Sequence, residues 1–147
     1  MEKNFTKIRS IKDYLISSLL ILGGVICIII PSGVSINILG ALLIFTGTFL
    51  FFVLKSSYKD EETGKIYRKI ERFYPQSQKE VFLRALKTRL DSIDTNEEDK
   101  GNGLRMDIYT DGKEQVYIQL FEYVPYNYIK CSDFYSFTHS ESAKLLA

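Results

Sequence analysis

Cys131, Asp133 and His139 fall within nine residues near the C-terminus. A thiol, a carboxylate and an imidazole are the groups from which a nucleophile, an orienting acid and a base can be assembled. Nothing around them has the form of a nucleophile elbow, and the stretch reads as a strand end followed by a loop, which fixes no geometry among the three. His139 is the one histidine of the chain, and the second cysteine, Cys27, lies inside an apolar run. No Cys/His set therefore has the spacing of a zinc site. The loop "DTNEEDKGNG", residues 94–103, places Asp94 and Asn96 like the first ligands of an EF-hand. The sixth position is Asp99 where a glycine is required, and the twelfth is Arg105 where a bidentate glutamate is required. The Gly-Asn-Gly at 101–103 precedes an expected strand and not a helix, so it is not a phosphate loop. These residues predict no enzyme, no metal site and no cofactor.

The elements that would have to position any chemistry divide sharply by charge. From Tyr14 to Leu54 there is no Asp, Glu, Lys, Arg or His, although 25% of the chain is charged. Residues 14–30 and 36–54 are continuous apolar runs. At ~1.5 Å per residue they extend roughly 25 and 28 Å, close to the ~30 Å of a bilayer's hydrocarbon core. Pro31 stops a helix and Gly33 permits a tight reversal, so the reading is a two-span transmembrane hairpin over 14–54 with its turn at 31–35. A basic head (1–13) precedes it and further basic residues follow it, while the turn carries none. By the positive-inside rule both termini face the cytoplasm, which implies a multi-pass protein of the cytoplasmic (inner) membrane. A signal peptide is disfavoured because no small-residue cleavage site follows and a second span comes at once.

Small residues recur along the hairpin. Folding the chain about Ser32 sets Gly24 opposite Gly40 and Ser17 opposite Gly47, a seam along which two backbones can approach closely in lipid. Ser17, Gly24, Gly40 and Gly47 are the candidate helix seam. The competing use of the same residues is an interface between protomers. Neither span holds an ionisable group, so the hairpin reads as an anchor and not as an ion path.

The remaining residues read as an α+β module. Residues 55–75 carry six basic and four acidic groups. Ile66, Ile70 and Phe73 suggest a juxtamembrane linker helix there. In 76–147, Ser77 and Glu80 have the spacing of a capping box at the start of a helix to about Asp91. Val81, Phe82, Ala85, Leu86, Leu90 and Ile93 form its expected buried face. Leu104, Met106 and Ile108 alternate before Asp111-Gly112, and Val116, Ile118 and Leu120 after it, the pattern of a β-hairpin. The segment 126–137 supplies a third antiparallel strand, and a short helix closes the chain from Thr138 and Glu141.

Aromatic residues crowd this sheet. Tyr117, Phe121, Tyr123, Tyr126 and Tyr128 are the candidate partner surface, because only one face of the sheet packs on the helix. Residues 104–147 have no basic excess, so no nucleic acid is expected. The sequence thus predicts a small integral membrane protein that anchors a cytoplasmic binding or regulatory module. Its partners are the lipid bilayer and a protein partner or second copy through the sheet. The alternative is a membrane-acting effector or immunity protein whose spans assemble in the bilayer.

Overall fold

In the computed structural model, residues 2–31, 33–90, 93 and 103–147 are described. The chain forms two compact units: Lys7–Ser57, and Met1–Thr6 together with Tyr58–Ala147.

The first unit is a pair of apolar helices, α1 (Ile11–Ile29) and α2 (Val34–Val53). Both are long and apolar enough to cross a membrane. α1 begins three residues earlier than the apolar run. Ser10 is its N-cap and forms a capping box with Asp13, accepting from the Asp13 N–H while the Asp13 carboxylate accepts from the Ser10 N–H. Gly33, at φ +107°, is the N-cap of α2, a conformation that glycine adopts at least cost.

The second unit is a seven-stranded antiparallel sheet with helices on one face. Its strands are β1 (Phe5–Ile8), β2 (Ser57–Asp60), β3 (Ile66–Tyr74), β4 (Leu104–Thr110), β5 (Gln115–Val124), β6 (Asn127–Lys130) and β7 (Tyr135–Thr138). The order is β1-β2-β3-β4-β5-β6, and β7 pairs with the other end of β5. In connectivity, the helical hairpin joins two neighbouring strands of this sheet.

The structure corrects two expectations. The juxtamembrane linker helix over 55–75 does not form. Its residues make β2 and β3, paired with Tyr58 opposite Tyr67. The Ile66, Ile70, Phe73 spacing resembles a helical stripe, but the segment also alternates, with Tyr67, Lys69, Glu71 and Phe73 on one face. Its isoleucines and aromatics favour strand, and on that face Lys69 pairs with Glu71 and Asp107. The basic head of residues 1–13 contributes β1 and the start of α1. The predicted capping box of Ser77 and Glu80 is absent: Ser77 lies in a 3₁₀ turn (Gln76–Gln78), and Gln78 caps α3 (Lys79–Lys87) without a side-chain bond.

The β4–β5 hairpin has the register that the alternation requires, Ile108 facing Ile118 and Met106 facing Leu120. Asp111 organises its turn, with Oδ1 accepting the N–H groups of Lys113, Glu114 and Gln115 at 2.9–3.1 Å. Leu104, Met106, Ile108, Val116, Ile118 and Leu120 form a core with Phe82, Ala85 and Leu86 of α3 and with Leu90 and Ile93. Val81 is not part of it, at 51% exposed. Leu145 of the C-terminal helix α4 (Ala143–Leu146) closes the core, with Thr138 and Glu141 bonded reciprocally just before it.

Candidate functional site

The seam residues and the aromatic residues lie in different units, and each set has its own geometry. In the helical hairpin Ser17, Gly24, Gly40 and Gly47 are all buried. A Cβ placed on Gly24 would lie 2.5 Å from the Gly40 carbonyl oxygen, and one on Gly40 would lie 2.7 Å from that of Gly24. The helices therefore touch backbone to backbone at this level. The nearest atoms to Gly47 belong to Leu20 and Ile21, so Ser17 is not its closest counterpart. Gly23 faces open space.

On the sheet, the face away from α3 divides into a covered half and an open half. Tyr67, Tyr109 and Tyr117 form a buried aromatic cluster in the covered half, packed with Phe5, Tyr58 and Phe134. Phe5 lies over Tyr109 at 4.2 Å and meets Tyr67 and Phe134 edge-on at 5.5 Å. Burial pushes the Tyr67 and Tyr109 hydroxyls up to about 12. Tyr117 is thereby removed from the expected partner surface, at 5% exposed. The sequence reading missed Phe5 as its cover, although Phe5 is a lone aromatic beside the basic residues of the head.

Residues 2–6 are tied down by charge as well. Asp60, fully buried at the β2 turn, accepts from Lys3 Nζ at 2.9 Å and from the Thr63 hydroxyl at 2.7 Å. Burial alone would push the Asp60 carboxyl up. The bonds from Lys3, Thr63 and the Glu62 N–H outweigh it and hold the carboxyl below its usual range. Lys3 also bonds Glu62 at 2.6 Å; this bond and the one to Asp60 raise its ammonium against the cost of burial.

The open half holds the other four candidates. Phe121, Tyr123 and Tyr128 are half-buried, and Tyr126 is 99% exposed. Tyr123 and Tyr128 meet edge-on at 5.3 Å, and Phe73 joins them from β3, 6.2 Å from Tyr128. Arg105 lies at the centre, its guanidinium 4.5 Å from the Phe121 ring centroid and 4.8 Å from that of Tyr128. Its Nε is 3.0 Å from Asp107, which also pairs with Lys69 at 2.8 Å. Burial works against the charge on Lys69, but Asp107 and Glu71 more than offset it and raise that ammonium. Tyr126 has φ +70°, a left-handed conformation that costs a non-glycine residue about 1 kcal/mol or more. Arg105 and Phe73 were not singled out as surface residues, and only the register Phe73–Arg105–Phe121 across three strands unites them.

Cys131, Asp133 and His139 are not assembled. The Cys131 N–H bonds the Leu120 carbonyl and the His139 N–H that of Glu114, six residues along β5 and so roughly 20 Å away. Burial pushes the Cys131 thiol up, away from a reactive thiolate. Asp94, Asn96 and Asp99 lie outside the described residues. Among the described residues no group of three or more His, Cys, Asp or Glu is placed to hold a metal ion.

No protein-family model, curated protein or solved structure matches this chain. Fold and surfaces define its class as an apolar two-helix hairpin inserted between neighbouring strands of an antiparallel α+β sheet domain.

Proposed function

We propose that the chain is a small integral membrane protein whose hairpin anchors the sheet domain to the cytoplasmic face of the inner membrane. The sheet domain then acts as a binding module and not as a catalyst. One observation carries the membrane reading. The hairpin turns Gly24, Gly40 and Gly47 inward and its large apolar side chains outward, with Leu19 70% and Phe45 72% exposed. Soluble proteins rarely leave contiguous apolar patches beyond a few hundred Å², whereas lipid solvates such a surface without cost. Basic residues stand before α1 and after α2 and none in the turn, which supports cytoplasmic termini.

The partner surface on this reading is the open aromatic half around Arg105. Tyr, Phe and Arg are residue types enriched in protein interfaces. The alternative, an effector or immunity protein whose hairpins assemble in the bilayer, has one feature in its favour: Gly23 offers a second hairpin a small-residue contact.

The deciding experiment expresses the full chain without its native cysteines and with single cysteines at Ser35 or Lys7. Membrane association resistant to alkaline carbonate, with Ser35→Cys labelled from outside and Lys7→Cys only after permeabilisation, is the expected result. Release by carbonate would remove the membrane reading. Efficient disulfide crosslinking between chains through Gly23→Cys would favour the assembling effector.

A further inference from the structure

We infer that the open end of the hairpin, where α1 begins and α2 ends, is a binding surface for the headgroups of anionic phospholipids. The inference rests on the membrane reading and adds to it a choice of lipid.

The hairpin unit contains four basic residues, Lys7, Arg9, Lys12 and Lys55, and one acid, Asp13. That acid is already committed. It is 4% exposed, and its carboxylate accepts from the Ser10 N–H at 2.8 Å, the Ser56 N–H at 2.9 Å and the Ser56 hydroxyl at 2.7 Å. These bonds clasp the start of α1 to the residues just beyond α2, and they spend the carboxylate's lone pairs on backbone and hydroxyl donors. Lys12 immediately precedes Asp13 and Lys55 immediately precedes Ser56, so the clasp brings both lysines to one end of the hairpin. Both are exposed.

Arg9 is fixed beside them. Its guanidinium donates to the Phe52 carbonyl at 3.3 Å, near the C-terminal end of α2, and stands over the rings of Phe51 at 5.0 Å and Tyr14 at 5.9 Å. One face of the arginine thus rests on aromatic rings at the point where the apolar surface stops. That combination of basic heads and aromatic rings suits the headgroup level of a bilayer. A dissolved anion would satisfy the charge alone. A phospholipid also covers the apolar side chains adjoining it, Ile11 and Phe52, which are largely exposed. The chemistry recognised is therefore a phosphodiester anion carrying acyl chains.

The test places the full-length protein in phosphatidylcholine vesicles with and without about one-third phosphatidylglycerol. Selectivity is read by electron spin resonance of spin-labelled phosphatidylglycerol against spin-labelled phosphatidylcholine. The expected result is a preference for phosphatidylglycerol that falls about fivefold or more in Lys12→Gln/Lys55→Gln. It should collapse at high salt, where charge is screened within about 3 Å. Inorganic phosphate should weaken it no more than chloride at equal ionic strength. A carbonate-resistant protein with no headgroup preference, or a double variant with undiminished preference, overturns the inference and leaves the membrane reading standing. Displacement by phosphate beyond the chloride control assigns the charges to a dissolved anion and also overturns it. Failure to resist carbonate in either vesicle sinks both.

Discussion

The ring of Phe5 lies flat on that of Tyr109, centroids 4.2 Å apart and planes 4° from parallel, although the whole hairpin separates them in sequence. The sheet domain is therefore closed by residues that precede both apolar helices, and it is not a self-contained C-terminal tail. Phe5→Ala should lower the stability of the sheet unit by about 2 kcal/mol, less than the ~3–5 of a fully buried phenylalanine. With no tryptophan in the chain, urea unfolding followed by tyrosine fluorescence reads this directly. A fragment beginning at Tyr58 should expose Tyr109 and Tyr117 and bind a hydrophobic dye. A fragment as stable as the intact unit would show that the Phe5 cover is dispensable.

The hairpin seam makes an opposed pair of predictions. Gly24→Ile puts a branched Cβ where the Gly40 carbonyl oxygen already stands, and the helices must separate at a cost of about 1–3 kcal/mol. Gly23→Ile meets open space and should leave the pair intact. Thermal unfolding of both variants in the same detergent, monitored by circular dichroism, gives the comparison. Equal loss in the two would mean that general helix effects, and not the close approach, dominate.

The sheet unit should lose stability at both ends of the pH range, for different groups. Asp60 has a depressed carboxyl, so its contribution is full above the unfolded carboxylate value of ~3.9 and is lost as pH falls below it. Asp60→Asn should therefore flatten the acid limb of a stability profile, at the expense of lower stability at neutral pH. Tyr67 and Tyr109 are raised to about 12. Their contribution is present below ~10, the unfolded value, and disappears as pH climbs toward the folded one. Ultraviolet titration should show these tyrosines ionising together with alkaline unfolding.

Tyr126 should trade stability for binding. Its backbone is left-handed and its ring is exposed, so Tyr126→Gly relieves strain and should be neutral or stabilising by up to about 1 kcal/mol. Arg105→Ala, in contrast, removes the cation between Phe121 and Tyr128 and should both loosen the patch and lower stability by about 1 kcal/mol. If the open half contacts a protein partner, both variants should bind it more weakly despite opposite effects on folding. A partner found by crosslinking in membranes and retained by both variants would place the interface elsewhere.

Two features were legible in the chain because their physical cause is local. An uncharged apolar run long enough for two helices needs no tertiary partner to be recognised, and Pro31 with Gly33 marks where it reverses. Strict alternation on both sides of Asp111-Gly112 specifies β4, β5 and their register, because a one-residue slip would turn every core side chain outward. Tertiary structure decided the rest. Residues 66–74 carry charge on both faces and satisfy a helical and a strand pattern equally well. They become β3 because β4 offers a paired edge and Asp107 takes up Lys69. Asp13 and Ser56 are 43 residues apart, and only the folded hairpin makes them one clasp. Whether Tyr117 is surface or core likewise depends on Phe5, a residue from the far side of the apolar run. Long-range contacts of this kind are what local pattern cannot encode: the free energy comes from burying one segment under another, and nothing within either segment alone reports it.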